Sequence, residues 1–260
     1  MSLTIRQLSV PIAGCHIVTD ASLSIAPGKL VGLIGANGAG KTTLLRASAG
    51  LIPGKTGNVL IDGISADTLS PRQRAKQMAY LPQGQAIDWA LSVRDVVALG
   101  RFPFQGRFGR QTGTDITAIN ATLDRLGLTG LADRQATTLS GGERALVLLA
   151  RALTVGAPYL LADEPTAALD PARQLQVMAL LKSEAVSGKG VLVVLHDLNL
   201  AARYLDQVVV MEKGQVIADG PPSEVLTAET LQRAYGITPL TGEENGERWL
   251  IPWERTPSRD

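Results

Sequence analysis

The sequence is poor in features that mark secreted and nucleic-acid-binding proteins. It has one cysteine, Cys15, among 260 residues, so no disulfide can form within the chain, which suits a reducing cytoplasm. We expect Cys15 to be a small buried residue. Lys and Arg number 25 against 24 Asp and Glu, and this net charge of +1 lacks the basic excess of a protein that works on nucleic acid.

Long apolar runs are also missing. The most apolar stretch, residues 145–162, is interrupted by Arg151 and Pro158 and is followed by two acids. It therefore predicts a buried helix followed by a strand. Because this stretch is interrupted, we expect a chain that does not span a membrane by itself. The first residues also show no signal-peptide pattern. A length of 260 residues allows one domain with a large core.

Glycine is concentrated where a phosphate-binding loop is expected. An apolar run, Leu30 to Ile34, is followed by a stretch that fits G-x-x-x-x-G-K-[ST] and then by a helical pattern. Glycines let the backbone N–H groups turn inward, where they and the helix N-terminus can hold phosphates. Lys41 would reach the β- and γ-phosphates of a nucleotide, and the Thr42 hydroxyl would ligate Mg²⁺. The predicted nucleotide-binding residues are Gly35, Ala36, Asn37, Gly38, Ala39, Gly40, Lys41, Thr42 and Thr43.

Polar residues follow three further predicted strands. The amide oxygen of Gln83 could meet Mg²⁺ or the attacking water. Asp163 would hold the metal, and Glu164 could accept a proton from the water that attacks the γ-phosphate. His196 could hydrogen-bond the γ-phosphate. Taken singly, a solvated acid or a structural histidine would also explain these residues.

A second candidate phosphate site opens the long apolar helix. Its residues are Ser140, Gly141, Gly142 and Glu143. The spacing of Ser140 and Glu143 is that of a capping box, which needs no ligand. Two consecutive glycines cost helix stability, but they leave the first N–H groups uncovered, so that a phosphate can approach them. The sequence thus leaves capping alone as the alternative to phosphate binding.

The N-terminal segment predicts an antiparallel patch. Leu3 to Val10 alternates as an edge strand would, and Ser22 to Ile25 is its expected hairpin partner. Residues 11–19 between them could pass near a bound adenine, but the only ring they offer is His16. A solvated loop imidazole explains His16 better than an adenine contact does.

These motifs, in their order, resemble those of the nucleotide-binding subunit of ABC transporters over nearly the whole chain. They are G-A-N-G-A-G-K-T-T, Gln83, L-S-G-G-E, L-L-A-D-E-P, the A-L-D at 168–170 and His196. The resemblance implies an α/β fold, a P-loop ATPase core of ABC type with an N-terminal antiparallel β patch and a helical subdomain insert. We expect one ABC ATPase domain over residues 1–260, with the core in 1–84 and 157–260, the helical subdomain in 85–156 and a short C-terminal tail in 221–260.

The resemblance also implies ligands and partners. ATP and Mg²⁺ would bind, and a homodimer would sandwich each ATP between the P-loop of one copy and the L-S-G-G-E of the other, with Asp170 at the interface. Closure of the dimer would be transmitted to integral membrane permease subunits. A substrate-binding protein would be an indirect partner. This expectation places the chain at the cytoplasmic face of a bacterial inner membrane, without nucleic acid. We hypothesise that Arg101, Phe102 and Arg107, in a predicted basic loop, meet the permease.

A narrower resemblance lies in residues 91–103, which look like the V-x-[DE]-x-V-x-x-G-R-x-P segment of importers for iron-siderophores, haem and vitamin B12. The short tail with Ala234 to Ile237 is similar to theirs. Two departures concern the nucleotide site. No aromatic residue that would stack on adenine is evident before Asp20, and Ala145 and Leu146 replace the Gln-Arg pair usual in the family.

Two other classes share part of this pattern. A soluble ABC-type ATPase in DNA repair, translation or cofactor assembly would have the same nucleotide motifs, but such proteins generally have tandem halves, coiled-coil insertions or basic patches, and none is visible in this sequence. A GTPase or small-molecule kinase would explain the P-loop and leave L-S-G-G-E and His196 without a role.

Overall fold

The computed structural model describes residues 1–84, 87, 90–106 and 110–255 of the 260-residue chain. The strands are β1 (Leu3–Ile12), β2 (Cys15–Ile25), β3 (Leu30–Ile34), β4 (Thr56–Ile61), β5 (Ile64–Ser65), β6 (Met78–Leu81), β7 (Tyr159–Asp163), β8 (Gly190–Val194), β9 (Gln207–Glu212), β10 (Gln215–Gly220), β11 (Ile237–Glu244) and β12 (Glu247–Arg255). The α-helices are α1 (Lys41–Ser48), α2 (Pro71–Gln77), α3 (Val93–Ala98), α4 (Gly113–Arg125), α5 (Gly141–Thr154), α6 (Pro171–Val186), α7 (Leu198–Tyr204), α8 (Pro222–Val225) and α9 (Ala228–Tyr235).

A six-stranded sheet in the order β10-β9-β3-β8-β7-β6 forms the centre of the fold. The five strands from β9 to β6 are parallel, and β10 is antiparallel to β9. Strands β3, β7 and β8 are buried along their whole length, as expected of a parallel sheet that is covered on both faces. The carboxyl ends of the parallel strands therefore lie at one edge, where ligands of open α/β sheets bind.

Alternate residues of the central strands divide between two hydrophobic clusters. Val191 and Val193 of β8 pack with residues of α5, α6 and α7, while Leu192 packs with α1 and with β1, β2 and β4. The continuous apolar runs of β7 and β8 follow from this burial on both sides. The predicted α/β core is thus present, with helices on one face of the sheet and α1 plus the N-terminal strands on the other.

The N-terminal sheet has the order β2-β1-β4-β5. The prediction of an edge strand at the N-terminus is wrong, because β1 pairs on both sides, with β2 and with β4. Strand β2 begins at Cys15, so His16 lies in a strand and not in a loop. The prediction that Cys15 is buried is also wrong. Cys15 pairs with Ile12 next to the hairpin turn, and its side chain is exposed there.

The chain between β6 and β7 carries helices α3, α4 and α5 and a 3-10 helix, Leu99–Phe104. The predicted basic loop is therefore helical at Arg101 and Phe102. Arg107 lies outside the described residues. Phe102 is 72% exposed, whereas Arg101 is only 8% exposed, and this burial contradicts the prediction that Arg101 belongs to an exposed docking loop.

Arg101 joins the helices of this segment from the inside. Its Nε donates to Asp115 Oδ1 at 2.8 Å, and its Nη1 donates to the carbonyl oxygens of Thr154 and Val155 at 3.0 and 3.1 Å. The Thr112 backbone N–H, Arg101 and the Thr112 hydroxyl lower the pKa of Asp115 to about 2 from its usual 3.8. The stability that this carboxylate contributes is thus fully present above pH 4 and is lost as the pH falls towards 2.

The C-terminal segment packs back onto the core. The hairpin β11-β12 lies against α7, where Leu250 is buried and its N–H donates to Asn199 Oδ1 at 3.2 Å. Leu231 of α9 is fully buried in the larger hydrophobic cluster. Within the described ranges, no helix has the length and apolar character needed to cross a bilayer.

We predict that Arg101→Ala lowers the free energy of unfolding by about 3–5 kcal/mol, because it leaves the Asp115 carboxylate buried without its cation. Chemical denaturation at pH 7 measures this loss. Arg110→Ala is the matched control, since Arg110 lies in the same segment and is exposed. If both variants unfolded at the wild-type denaturant concentration, the buried pair would not hold these helices together.

Candidate functional site

The candidate site lies at the carboxyl edge of the parallel sheet. The P-loop follows β3, Gln83 follows β6, Glu164 follows β7 and His196 follows β8. Because these strands are neighbours or near neighbours in the sheet, their ends bring the four predicted elements together. Because the strands are parallel, motifs that are more than 150 residues apart in the sequence lie on one surface.

Glycine is required at two P-loop positions by close backbone contacts. Gly35 has a φ of 150°, and a Cβ there would lie 2.3 Å from the Met211 carbonyl oxygen. Gly40, the N-cap of α1, has a φ of 97°, and a Cβ there would lie 2.8 Å from the Ile17 carbonyl oxygen. The loop therefore turns tightly over the sheet, with the N-terminus of α1 at its end.

Lys41 is buried at the start of α1. Its Nζ donates to the carbonyl oxygens of Gly35 and Ala36 at 2.7 and 3.0 Å. Burial lowers the pKa of Lys41, while the negative charges of Glu164 and Asp163 raise it in part. The ammonium group is thus held inside the loop by carbonyl dipoles and by two carboxylates on neighbouring strands.

Thr42 and Asp163 place two oxygen atoms side by side. The Thr42 hydroxyl donates to Asp163 Oδ1 at 3.1 Å, and the Tyr80 hydroxyl donates to Asp163 Oδ2 at 3.5 Å. Burial raises the pKa of Asp163, and the bond from Thr42 lowers it in part. A hydroxyl and a carboxylate are ligands of the kind that Mg²⁺ takes alongside substrate phosphates. Across residues 1–84, 87, 90–106 and 110–255, no three His, Cys, Asp or Glu side chains are placed to hold a metal by themselves.

Glu164 contacts both remaining candidates. Its Oε2 accepts a hydrogen bond from the Gln83 amide nitrogen, and its Oε1 contacts His196 Nε2. Glu164 has a φ of 48°, a left-handed conformation that few non-glycine residues adopt and that concentrates at functional sites. The structure thus gives Gln83 a hydrogen bond to Glu164 rather than to Asp163.

One small pocket joins most of these residues. It has a volume of about 190 Å³. It is lined by Ile17, Asn37, Gly38, Gly40, Lys41, Thr42, Thr43, Glu164 and His196. Gly35 and Ala36 contribute the carbonyl oxygens beneath Lys41, and Ala39 is buried. His16 is not among the lining residues. The lining is that expected around the phosphates of a nucleotide.

The second candidate phosphate site is the capped N-terminus of α5 and not a glycine loop. Ser140 and Glu143 form the predicted capping box of α5, because the Ser140 hydroxyl accepts from the Glu143 N–H at 3.3 Å and the Ser140 N–H donates to Glu143 Oε2 at 2.8 Å. A Cβ at Gly141 would meet open space. In the described part of the chain, none of residues 140–143 lines the pocket over the P-loop.

Sequence reasoning missed two tyrosines. The Tyr80 hydroxyl contacts Asp163, and the Tyr235 hydroxyl accepts a hydrogen bond from the Gly35 N–H at 2.6 Å. Tyr235 comes from α9, so no local pattern connects it with the P-loop. Tyr80 lies in β6, three residues before Gln83, and it is the half-buried residue of a strand whose other residues are buried.

Comparisons of the sequence and of the fold with known proteins point to the same family. Residues 18–167 match the ABC transporter family. The chain is 43% identical over 249 residues to the cobalamin import ATP-binding protein BtuD of Halobacterium salinarum, covering 93% of this chain and 62% of that relative. It is 42% identical over 246 residues to the hemin import ATP-binding protein HmuV of Bordetella pertussis, covering 91% of this chain and 93% of the relative. A solved metal-chelate type ABC transporter, in an inward-facing conformation, superimposes with a TM-score of 0.83 at 25% identity, with 98% of each chain covered.

We predict that Lys41→Ala weakens ATP binding and abolishes ATP turnover while the protein stays folded, because it removes the cation that faces the phosphates. Nucleotide titration and phosphate release measure the two effects, and circular dichroism checks the fold. Lys29→Ala, at an exposed lysine just before β3, is the control and keeps wild-type activity. Normal hydrolysis by a folded Lys41→Ala protein would refute the phosphate site.

Proposed function

Because this chain belongs to the ABC transporter family, we propose that it is the ATP-hydrolysing subunit of a membrane importer for metal chelates, a class that includes iron-siderophores, haem and cobalamin. The observation that carries the proposal is the convergence of Lys41, Thr42, Glu164 and His196 on one pocket. The relatives named for cobalamin and hemin import, and the neighbouring metal-chelate transporter structure, support this class of cargo.

Each residue of the pocket has its own role in ATP hydrolysis. Lys41 exchanges its carbonyl partners for oxygens of the β- and γ-phosphates, while P-loop N–H groups hold the same phosphates. Thr42 and Asp163, with the amide oxygen of Gln83, would hold a Mg²⁺ ion that neutralises phosphate charge. Glu164 takes the proton of the attacking water. His196, in contact with Glu164, orients that carboxylate and meets the γ-phosphate.

The N-terminus of α5 supplies the second half of each site from another copy of the chain. It is capped by Ser140, has open space at Gly141, and contributes nothing to the lining of the P-loop pocket in its own chain. Two copies related by a two-fold axis would place each Ser140 opposite the partner's P-loop, the closed arrangement that most homo-oligomers adopt. ATP then joins the copies, and its hydrolysis releases them.

A groove beside the helical segment is the proposed docking surface for the permease. It has a volume of about 380 Å³. It is lined on one side by the chain just after α1, by α2 and by β6, and on the other by α5 and the 3-10 helix. Three apolar side chains on it are exposed: Leu51 at 50%, Leu99 at 46% and Phe102 at 72%. An exposed apolar patch of this kind marks an interaction surface. Docking there places the chain at the cytoplasmic side of the membrane, with the permease as the link to a substrate-binding protein.

We predict that Glu164→Gln binds ATP but hydrolyses it about 10²- to 10⁴-fold more slowly, because an amide cannot accept the proton of the attacking water. With ATP trapped, the variant is expected to elute as a dimer in size exclusion with ATP and Mg²⁺, and as a smaller species without nucleotide. The matched variant adds Ser140→Arg, whose long side chain fills the second phosphate site and prevents the dimer. A trapped dimer that survives Ser140→Arg would contradict the composite site.

We also predict that Phe102→Asp reduces ATP-driven import by the reconstituted transporter at least several-fold and leaves the ATPase activity of the isolated subunit unchanged, because it places a charge in the apolar groove. Uptake of radiolabelled cobalamin and haem measures import. Ile116→Asp is the control, since Ile116 is a 48% exposed residue of α4 outside the groove. If import fell equally in both variants, or in neither, the permease would have to contact another surface.

A further inference from the structure

The C-terminal tail contacts the P-loop through a hydrogen bond between Tyr235 and Gly35. The backbone N–H of Gly35 donates to the hydroxyl oxygen of Tyr235 at 2.6 Å, across 200 residues of sequence. Strand β3 ends at Ile34, so this N–H is the first amide of the loop beyond the strand. An amide buried at this point needs an acceptor, and the chain takes that acceptor from its last α-helix, α9.

Helix α9 holds Tyr235 firmly in place. Leu231 and Ala234 of the helix are buried, and Arg233 Nε lies 2.9 Å from Glu212 Oε2 at the end of β9. The helix ends at Tyr235, with Gly236 in the left-handed conformation as its C-cap. Burial raises the pKa of Tyr235 to about 12, so the hydroxyl stays protonated near neutral pH. The tyrosine thus offers a neutral, fixed oxygen to the loop.

Gly35 is held from three directions. Tyr235 accepts from its N–H, Lys41 Nζ donates to its carbonyl oxygen at 2.7 Å, and its Cα lies so close to the Met211 carbonyl that no side chain fits. Lys41 must leave the carbonyl when it turns to the phosphates. Tyr235 and Met211 then remain as the contacts that keep the peptide of Gly35 in its place.

We propose that Tyr235 is a positioning residue for ATP binding, which acts through Gly35 on the placement of Lys41. The hydroxyl fixes the first peptide of the loop, so that Lys41 leaves and regains the Gly35 carbonyl without disordering the loop around the phosphates. This inference rests on the proposed phosphate-binding role of Lys41. It assigns the C-terminal tail an indirect part in nucleotide affinity, through Gly35 and Lys41.

The variant Tyr235→Phe removes the hydroxyl and keeps the ring that packs against the core. We expect the affinity for ATP to fall about 2- to 10-fold, the range of one hydrogen bond to a neutral group, while kcat at saturating ATP stays within a factor of two. Tyr204→Phe is the matched control, because Tyr204 is also half-buried near the tail and has no contact with the P-loop among those described. Equal affinities of Tyr235→Phe and the wild type would overturn the inference.

A double-mutant cycle with Lys41→Ala separates positioning from general support of the fold. Binding of a fluorescent ATP analogue is measured for the wild type, both single variants and the double variant, up to millimolar concentrations. If Tyr235 acts through Lys41, adding Tyr235→Phe to Lys41→Ala costs less than a further twofold in affinity. If the loss in affinity of the double variant equalled the product of the two single losses, the role of Tyr235 would be merely structural. That result would overturn the inference. Wild-type affinity in Lys41→Ala alone would instead refute the proposed phosphate site, so the two failures are distinguishable.

Discussion

The parallel pairing of β3 with β8 and β9 is the constraint on which the site depends. A parallel sheet must be covered on both faces, which requires helices on one side and the N-terminal sheet on the other. It also sends the carboxyl end of every strand to one edge. The P-loop, Asp163 and His196 meet there because of this direction, and no contact between the motifs themselves is needed to bring them together.

Charge balance explains why the pocket suits a polyphosphate with a cation. Lys41 is buried beside Asp163 and Glu164, and Arg46 adds a second positive charge near Asp163. Burial alone would favour the neutral forms of Lys41 and Asp163, and it shifts their pKa values in opposite directions. An anionic ligand without a metal would bring further negative charge next to these two carboxylates. A Mg²⁺ ion held by Thr42 and Asp163 would offset the negative charge of a phosphate bound there.

Local patterns in the sequence predicted much of the fold, and contacts between distant segments account for what was missed. The strand at Met78–Leu81 and the capping box at Ser140 depend on a few neighbouring residues, and the structure has both. The second partner of β1 is β4, some fifty residues away, and the acceptor for Gly35 comes from α9. Periodicity carries no information on such pairings. The roles of the individual site residues depend on nucleotide and partner, so they stay predictions.

Arg101 and Phe102 show why composition alone does not predict which side chains of this segment are exposed. They are neighbours in a 3-10 helix, where successive side chains point about 120° apart. One of the two side chains therefore faces the interior and the other faces solvent. The sequence alone does not show which of them is buried. Arg101 turns inward because Asp115 and the carbonyls that end α5 satisfy its guanidinium. Phe102 is left outside with Leu99 at the groove. The arginine thus fixes the 3-10 helix that exposes the phenylalanine, so the exposed side chain of this pair is apolar and the buried one is charged.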